Sequence, residues 1–579
     1  MLESSPGFGS LAICCRPLLR RCGRLAGAAL FAAILTACGG SESDDNASSP
    51  NPPAPVDALA SFKQQTLNWQ TCDASAMENE DDQQELAQLG ERAQCALMRV
   101  PLDYAEPSSA ELQVEVLKVA AEQPAQRLGA IVFNPGGPGE DGLSSAVQTS
   151  LKLAAADPDE AGGLLQQMAR RYDLVAFSPR GMGRHSPLNC ALQDELELPT
   201  LFNADSSSEN VEKIQRHAQQ LAQACAANPM SRHIHTEATA RDMDLLRGLL
   251  NEEKLNYIGY SYGTWLGAWY AALFPERAGR MLFDSSADIT GDFDALMQSQ
   301  IPASARHIEE LLLPRAVSEP ARFGLGNDLA ALRQQLLALS APLRAALALH
   351  WDFEEIDSDV YAISAALGLQ ELLARHPQAS AAQLYAGMAQ APRFKNAQVE
   401  MHAKALVPGL FSPLKFHAPG KEEFVYWSVR CNDTGTTGSA QDWAERGREA
   451  LQRYPLAEIG IVENPCLYWR QAARKMPAAA QMRTSTPVLM LQSEYDSLTP
   501  LQGARKTQAA LPNARLIVVE KAHEHGVFPY GTACVDGQVA RYFLDGTLPS
   551  EAINSCAGKR PGADEDDEDD EEDEDEDDA

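Results

Sequence analysis

The sequence has little positive charge, and this scarcity excludes a large class of partners. Lys and Arg number 48 against 80 Asp and Glu in 579 residues, giving a formal net charge of −32. A nucleic-acid surface needs a basic footprint for the phosphate backbone, so we expect neither DNA nor RNA as a partner. The acidic run Asp564 to Asp578 supplies about half of that charge, yet the rest of the chain is still acidic.

Several motifs of cofactor and metal proteins are also missing. The glycine-rich stretch Asn134 to Gly139 matches neither the phosphate-binding loop pattern nor the dinucleotide-binding pattern. None of the cysteines from Cys72 onward has C-x-x-C spacing, which argues against a zinc site. No internal repeat is evident. We therefore expect a protein that works without a metal or cofactor.

The first residues form a targeting segment. Four arginines, Arg16, Arg20, Arg21 and Arg24, precede the apolar stretch Leu25 to Leu35, and Cys38 follows shortly. The apolar stretch is too short for a comfortable permanent membrane span. The pattern resembles a bacterial lipoprotein signal, which implies cleavage after residue 37, a lipid on Cys38 and an outer membrane location facing the periplasm or cell surface. A plain secretory signal with an incidental cysteine is the alternative.

Composition marks both ends of the folded part. The stretch after Cys38 is rich in Ser, Asp, Asn and Pro, so residues 38–60 are expected to be a disordered tether. Residues 559–579 contain the acidic run and are expected to be a disordered, solvating tail. The folded protein should therefore lie between these two segments.

Cysteine usage agrees with export. Removal of the signal and lipidation of Cys38 leave eight cysteines, an even number typical of disulfides in an exported protein. Sequence alone permits about 105 connectivities. Because each adjacent pair falls within one predicted segment, we predict pairing of neighbours: Cys72 with Cys95, Cys190 with Cys225, Cys431 with Cys466, and Cys534 with Cys556.

The hydrophobic pattern predicts an α/β fold. Residues 112–119 alternate as an edge strand should, and short continuous apolar runs follow at 130–133, 174–177, 257–258 and 281–283. Helical periodicity lies between several of these runs, as at 211–227 and 239–250. This order predicts a mostly parallel, doubly wound sheet with helices on both faces.

The pattern changes to successive helices from about Ile289 to Arg483 and then returns to apolar strands at 487–491 and 515–519. One sheet domain with an inserted helical cap explains this more economically than two independent domains. The expected boundaries are 61–288 for the first part of the core, 289–483 for the cap and 484–558 for the C-terminal part of the core.

A Gly-x-Ser-x-Gly pentapeptide, Gly259 to Gly263, follows one of the predicted strands and precedes a helix. In a nucleophile elbow of this kind, the serine sits on a sharp strand-to-helix turn that lifts its hydroxyl to the top of the sheet. Ser261 is therefore the candidate nucleophile. The backbone N–H groups of Gly137 and Tyr262 are the candidate oxyanion donors, since one lies in a glycine-rich loop and the other follows the serine.

A serine nucleophile needs an acid and a base, which follow it in that order in α/β-hydrolases. Asp496 follows the strand at 487–491, and His523 and His525 follow the strand at 515–519. The sequence therefore predicts a triad of Ser261, Asp496 and a C-terminal histidine. Asp288, after an earlier strand, is the alternative acid.

These motifs resemble the α/β-hydrolase family of secreted tripeptidyl and prolyl aminopeptidases. The resemblance lies in Asn134 to Gly139, Tyr172 to Pro187, the elbow, Asp496 to Pro500, and the C-terminal stretch that ends near Cys556. It implies an exopeptidase that acts on the free N-terminus of short peptides through Ser261, Asp496 and a C-terminal histidine. The family usually has one Gly-His pair there, whereas this chain has two histidines; counting back from Cys534 and the following Gly526 favour His525.

The remaining polar candidates have ordinary structural explanations. Arg180 and Arg184 are more typical of a structural ion pair than of catalysis, and Glu494 of a solvated neighbour. An aminopeptidase must also bind a substrate ammonium, so carboxylates of the cap should face the cleft. Four acids could do so, although each is also typical of an ordinary surface position: Glu354, Glu355, Asp357 and Asp433.

The sequence supports three hypotheses for function. The first is an exported, lipid-anchored serine aminopeptidase acting on short peptides through an acyl-enzyme. The second is an esterase or other acyl hydrolase, because the same triad cleaves esters and amides. The third is an inactive surface binding protein that kept the fold, against which the intact set of serine, acid, histidine and glycine loop argues.

Overall fold

A computed structural model describes residues 57–158, 160–192 and 198–559. The signal segment, Cys38, most of the tether and the acidic run lie outside the described residues. Within the described ranges, ten strands form one sheet in the order β1-β2-β3-β5-β4-β6-β7-β8-β9-β10. The strands are β1 Gln70–Thr71, β2 Ala93–Pro101, β3 Glu111–Val119, β4 Gly129–Asn134, β5 Tyr172–Phe177, β6 Leu255–Tyr260, β7 Ala278–Asp284, β8 Leu489–Ser493, β9 Arg515–Glu520 and β10 Ile553–Ala557.

The seven strands β4 to β10 pair with one another in parallel. The strands β1, β2 and β3 lie at one edge of the sheet and pair antiparallel, with β3 next to β5. Helices cover both faces, which is why the central strands are continuous apolar runs. The α-helices before the seventh strand are α1 Ala60–Lys63, α2 Glu80–Leu89, α3 Leu143–Ala155, α4 Glu160–Arg171, α5 Ser208–Ala227, α6 Thr236–Leu249 and α7 Tyr262–Leu273. The predicted fold class, a mostly parallel α/β-hydrolase sheet with an inserted helical cap, is confirmed.

The segment between β7 and β8 is entirely described and contains no strand. Its α-helices are α8 Phe293–Gln298, α9 Gln300–His307, α10 Leu313–Ser318, α11 Pro320–Phe323, α12 Leu329–Leu337, α13 Ala341–Ala348, α14 Ile356–Arg375, α15 Ala381–Met388, α16 Ala397–Phe411, α17 Lys421–Asp433 and α18 Ala440–Arg453. Two more α-helices, α19 Leu501–Ala510 and α20 Ala533–Asp545, lie in the C-terminal part of the sheet domain.

Side chains of alternate strand residues enter two different cores. Val132 and Tyr257 pack on one face of the sheet with α5, α6 and α7, whereas Ile131 and Ile258 pack on the other with α3, α4 and α20. This division follows from the two-residue repeat of a strand. A third core lies within the helical segment and is built from residues 308–407 together with Leu456.

Residues 293–301 and 424–482 of the helical segment also contribute to the first of the two sheet cores. The segment between β7 and β8 therefore has a part that packs on its own core and flanking parts that pack on the sheet. The flanking helix α17 is the part that reaches the glycine-rich loop, because a Cβ on Gly139 would lie 2.7 Å from the backbone oxygen of Glu422.

One strand prediction is wrong. β3 is not an edge strand, because it pairs with β2 along its whole length and with β5 on its other side. The strand β2, which the sequence pattern did not reveal, covers that edge, and its burial alternates irregularly. Helix α6 also begins at Thr236, earlier than the expected 239, because the His235 side chain accepts the backbone N–H of Ala238 and caps the helix.

Candidate active site

The turn at Ser261 has the conformation that a nucleophile elbow requires. Ser261 lies between β6 and α7 with φ 54° and ψ −122°, a region that residues with a side chain rarely adopt. A Cβ at Gly259 would lie 2.5 Å from the Gly263 oxygen, and a Cβ at Gly263 would lie 2.6 Å from the Asn134 oxygen. Only glycine fits at either position, so the spacing of the motif follows from close backbone approach.

The glycine-rich loop after β4 lies directly against this elbow. A Cβ on Gly136 would lie 3.0 Å from the Ser261 Cβ and 3.4 Å from the Tyr262 nitrogen. Gly137 has φ 94°, so its backbone also depends on glycine. Tyr262 is the first residue of α7, where a backbone N–H has no partner within the helix and the helix dipole favours negative charge. The two candidate oxyanion donors thus belong to adjoining segments.

Asp496 is held by a complete set of hydrogen bonds on the loop after β8. The residue is 2% exposed. Its carboxylate accepts the Gln492 amide at 2.9 Å, the backbone N–H groups of Leu498 and Thr499 at 2.9 and 2.8 Å, and the Thr499 hydroxyl at 2.8 Å. These contacts fix the orientation of the carboxylate before it meets a histidine.

His525 lies in contact with Asp496, as expected for the base and the acid of the predicted triad. Its Nδ1 atom lies 3.1 Å from both oxygens of Asp496, and its side chain is 19% exposed. Burial lowers the pKa of His525, but the charge of Asp496 and its hydrogen bond outweigh that effect and raise the pKa above its usual value. Burial likewise raises the pKa of Asp496, but the His525 charge and the hydrogen bonds outweigh it and lower that pKa. The pair therefore favours a charged histidine, as a general base requires after it takes a proton.

The Ser261 hydroxyl and the His525 ring are not hydrogen-bonded in this structure. Within the described ranges, the Ser261 hydroxyl forms no hydrogen bond with His525 or with another residue. Catalytic hydrogen bonds of serine hydrolases are often long in the absence of substrate and shorten in the complex. The arrangement can therefore perform acyl transfer once a bound carbonyl draws the hydroxyl toward the ring.

His523 has a different set of contacts. Its Nε2 atom lies 2.9 Å from the backbone oxygen of Glu354, and its ring packs at 5.5 Å from the buried ring of His307. It thus connects the loop that carries His525 to the segment before α14. The geometry places His525, and not His523, beside the acid.

The alternative acid and the two arginines are engaged elsewhere. Asp288 pairs with Lys506 at 2.7 Å. Arg180 forms a fully buried ion pair with Asp242 at 2.7 Å. Further pairs join Arg184 to Glu115 and Glu494 to Arg306. Each of these side chains contributes to structure, and none is brought to the His525 ring.

The four acids proposed for the substrate ammonium separate into two groups. Asp433 is completely buried and accepts hydrogen bonds from Thr236 and Trp265, and Asp357 is buried in a pair with Arg315 at 2.7 Å. Glu354 and Glu355 are exposed. Glu354 interacts electrostatically with His525, so it lies at the site.

Two carboxylates at the site escaped the sequence reasoning. Glu140, at the end of the glycine-rich loop, interacts electrostatically with His525, and Glu422, at the start of α17, interacts with Glu140. Both are exposed. Within the described ranges, Glu140, Glu354 and Glu422 form no ion pair with a basic side chain. Their position on different segments gave no local sequence signal.

A second omission lies at the end of β7, where Asp284 and Ser285 bind the backbone after His525. The signal available was an acidic residue at the carboxyl end of an apolar strand. The structure also forms the four neighbour disulfides Cys72–Cys95, Cys190–Cys225, Cys431–Cys466 and Cys534–Cys556. Such bonds are typical of proteins outside the reducing cytoplasm.

Neither a membrane span nor a metal cluster is found in the described ranges. No helix there combines the length and apolar character needed to cross a bilayer. No group of three or more His, Cys, Asp or Glu side chains is arranged there to hold a metal ion.

The chain is similar in sequence to several known hydrolases. Residues 454–556 match the model of a family described as TAP-like protein. The chain is 28% identical to the tripeptidyl aminopeptidase of Streptomyces lividans over 80% of this chain and 83% of that protein. It is 32% identical to the serine protease Hip1 of Mycobacterium tuberculosis over 34% of this chain and 37% of that protein. It is also 28% identical to carboxylesterase B of Mycobacterium tuberculosis, over 80% and 86%.

The fold, the elbow and these relatives define the chain as a serine hydrolase of the α/β-hydrolase fold. Within that class, residues 454–556 match the TAP-like family model, in agreement with the resemblance seen in the sequence.

Proposed function

We propose that this chain is an exported serine aminopeptidase that releases short N-terminal peptides or single residues from peptides. The observation that carries the proposal is a group of three exposed carboxylates that form no ion pair within the described ranges. Glu140 and Glu354 interact electrostatically with His525, and Glu422 interacts with Glu140. A free substrate ammonium is the natural partner for such a set, because an opposite charge offsets the repulsion between like charges. The tripeptidyl aminopeptidase relatives support the same substrate class.

In the proposed reaction, His525 takes the proton of Ser261 while the serine oxygen attacks the carbonyl carbon of the peptide bond. Asp496 holds the imidazole by its Nδ1–H and stabilises the charged ring. The backbone N–H groups of Gly137 and Tyr262 donate to the oxyanion. Loss of one such donor typically lowers turnover by about 10²- to 10³-fold.

His525 then gives its proton to the leaving amine, and the N-terminal part of the substrate remains as an acyl-enzyme. Water releases the acyl group by the reverse use of the same base. The helical segment at 289–483 acts as a cap in this proposal, because Glu354 and Glu422 both belong to it. The length of the released piece then depends on the distance between these acids and Ser261.

Location is part of the proposal. We infer that Cys38 carries a lipid and anchors the enzyme to the bacterial envelope, on the outer membrane, through the 38–60 tether. The Cys38→Ala variant should lose its membrane fraction without loss of turnover. Mass spectrometry of the mature N-terminus would show a diacylglycerol-modified cysteine if the proposal holds, and an unmodified one in a plain secreted protein.

An esterase is the second candidate, because carboxylesterase B of Mycobacterium tuberculosis matches this chain over 80% of its length. Parallel assays of a free-amine tripeptide amide and of simple acyl esters separate the two, with a fluorophosphonate probe reporting the reactivity of Ser261. The aminopeptidase proposal expects labelling of Ser261 and faster acylation by the peptide. Turnover of esters alone would favour the esterase, and an unlabelled Ser261 would favour an inactive binding protein.

A further inference from the structure

Two buried residues at the carboxyl end of β7 lie between the segments that carry Ser261 and His525. Asp284 and Ser285 are both 0% exposed, and neither belongs to the proposed triad. Their side chains bind backbone groups of the loop after His525, and the Ser285 hydroxyl also donates to the Asp284 carboxylate at 3.3 Å. The pair therefore connects two segments that sequence separates widely.

The side chains of Asp284 and Ser285 accept three consecutive backbone N–H groups, those of residues 526–528. The Ser285 hydroxyl accepts the first at 2.8 Å, and the two carboxylate oxygens of Asp284 accept the second and third at 2.9 and 2.7 Å. These donors follow His525 directly. These three hydrogen bonds fix the backbone immediately after His525. They therefore also fix the position of the His525 Cα atom, to which the imidazole side chain is attached.

The same pair also holds the nucleophile. The backbone oxygen of Asp284 accepts the N–H of Ser261 at 3.0 Å. Tyr260, the residue before the nucleophile, donates its hydroxyl to the backbone oxygen of Phe528 at 2.8 Å. The end of β7 is thus bonded to the backbone of the nucleophile on one side and to the histidine loop on the other.

Two features of this pair oppose stability. Burial raises the pKa of Asp284 to about 7, and within the described ranges its carboxylate forms no ion pair with Lys or Arg. Ser285 has φ 53°, a left-handed conformation that is strained for a residue other than glycine. Strained backbone and buried polar groups concentrate at functional sites, where the surrounding structure holds them in place.

We propose that Asp284 and Ser285 are positioning residues that keep the His525 ring in register with Ser261. The inference rests on the proposed catalytic function of Ser261 and His525 and adds to it the device that sets their separation. Because the serine and histidine are not hydrogen-bonded in this state, a small displacement of the loop changes how readily they meet. A misplacement of about 1 Å can lower turnover by about 10²-fold.

The test compares three variants: Asp284→Asn, Ser285→Ala and, as a matched control, Ser286→Ala. The asparagine keeps the shape of the side chain but presents an NH₂ group to one of the two backbone donors. Ser286 is also buried, but its hydroxyl contacts the Ala287 oxygen at 3.2 Å and not the histidine loop. The control therefore removes a neighbouring buried hydroxyl without touching the proposed connection.

Turnover should be expressed per active site, counted by exhaustive fluorophosphonate labelling, so that misfolded molecules do not contribute. We expect kcat to fall about 10²-fold in Asp284→Asn and about 10-fold in Ser285→Ala, with KM nearly unchanged. The rate constant of labelling should fall by similar factors, because it also needs the histidine base. Ser286→Ala should keep both rates.

The outcomes separate the two claims. A normal kcat per labelled site in Asp284→Asn and Ser285→Ala, even with lower thermal stability, would overturn the positioning role and leave the proposed function intact. A change in KM alone would also overturn it, since the loop would then act on substrate binding. A wild-type chain that neither labels nor cleaves any substrate would instead overturn the proposed function, and the positioning role with it.

Discussion

The Nδ1 atom of His525 lies 3.1 Å from both carboxylate oxygens of Asp496, and that carboxylate accepts hydrogen bonds from four other donors. An Asp496→Asn variant would keep the volume but present an NH₂ group to the ring, which favours the wrong tautomer. We expect kcat to fall by about 10⁴-fold with little change in KM, as in other triads. Steady-state kinetics with a peptide substrate would measure this, and a loss below 10-fold would contradict the assigned acid.

The activity should depend on pH through His525. The ring must be neutral to take the serine proton, and its pKa is raised above the usual value by Asp496 against the effect of burial. The acid limb of kcat/KM should therefore lie above pH ~6.5, the ordinary value for histidine.

A charge variant tests that cause. Glu140 contributes to the raised pKa of His525, so Glu140→Gln should move the acid limb toward lower pH. Glu91→Gln removes an exposed carboxylate elsewhere and should leave the limb in place. An acid limb that does not respond to Glu140→Gln would show that another group controls it.

The two histidines of the C-terminal loop should differ sharply. His525→Ala removes the base, so we expect kcat to fall by about 10⁴-fold or more. His523→Ala removes the hydrogen bond to the Glu354 oxygen and the ring contact with His307 but leaves the base in place, so its main effect should be a several-fold higher KM. Separate kinetics of each variant decide the assignment. Full turnover in His525→Ala with loss in His523→Ala would reverse it.

The strained conformation of Ser261 should appear in the stability of inactive variants. Both Ser261→Ala and Ser261→Gly abolish the nucleophile, but only glycine adopts φ 54° without a Cβ penalty. We expect the glycine variant to have a free energy of unfolding about 1 kcal/mol higher than the alanine variant. Denaturant unfolding of the two proteins provides the measurement, and equal stabilities would mean that the elbow is not strained.

Local sequence patterns predicted the parts of the fold and site that depend on a few neighbouring residues, namely the central strands and the turn at Ser261. The apolar runs marked the parallel strands because both of their faces are buried, and the two glycines around Ser261 marked a turn that only glycine permits. Chain order then placed Asp496 and His525 at the same sheet edge. The strand β2 was missed because its burial does not alternate cleanly, and its absence made β3 resemble an edge strand.

Contacts between distant segments could not be predicted. Asp284 and Ser285 bind residues 241 to 244 positions further along the chain, and nothing local distinguishes them from ordinary strand-end residues. The same holds for Glu140 and Glu422, whose proximity depends on how α17 packs against the glycine-rich loop. Only the fold shows which surface acids face the site.

The central claim is that the carboxylates beside His525 select a substrate with a free N-terminal amine. The most direct measurement is the ratio of kcat/KM for a tripeptide amide to that for its N-acetylated form, in the wild type, Glu354→Gln and, as a control, Glu91→Gln. We expect a ratio of about 10² in the wild type and the control, and a clear fall in Glu354→Gln, because a charge-assisted contact contributes about 1.5–3 kcal/mol. Equal cleavage of free and acetylated peptides by the wild type would contradict the proposed aminopeptidase.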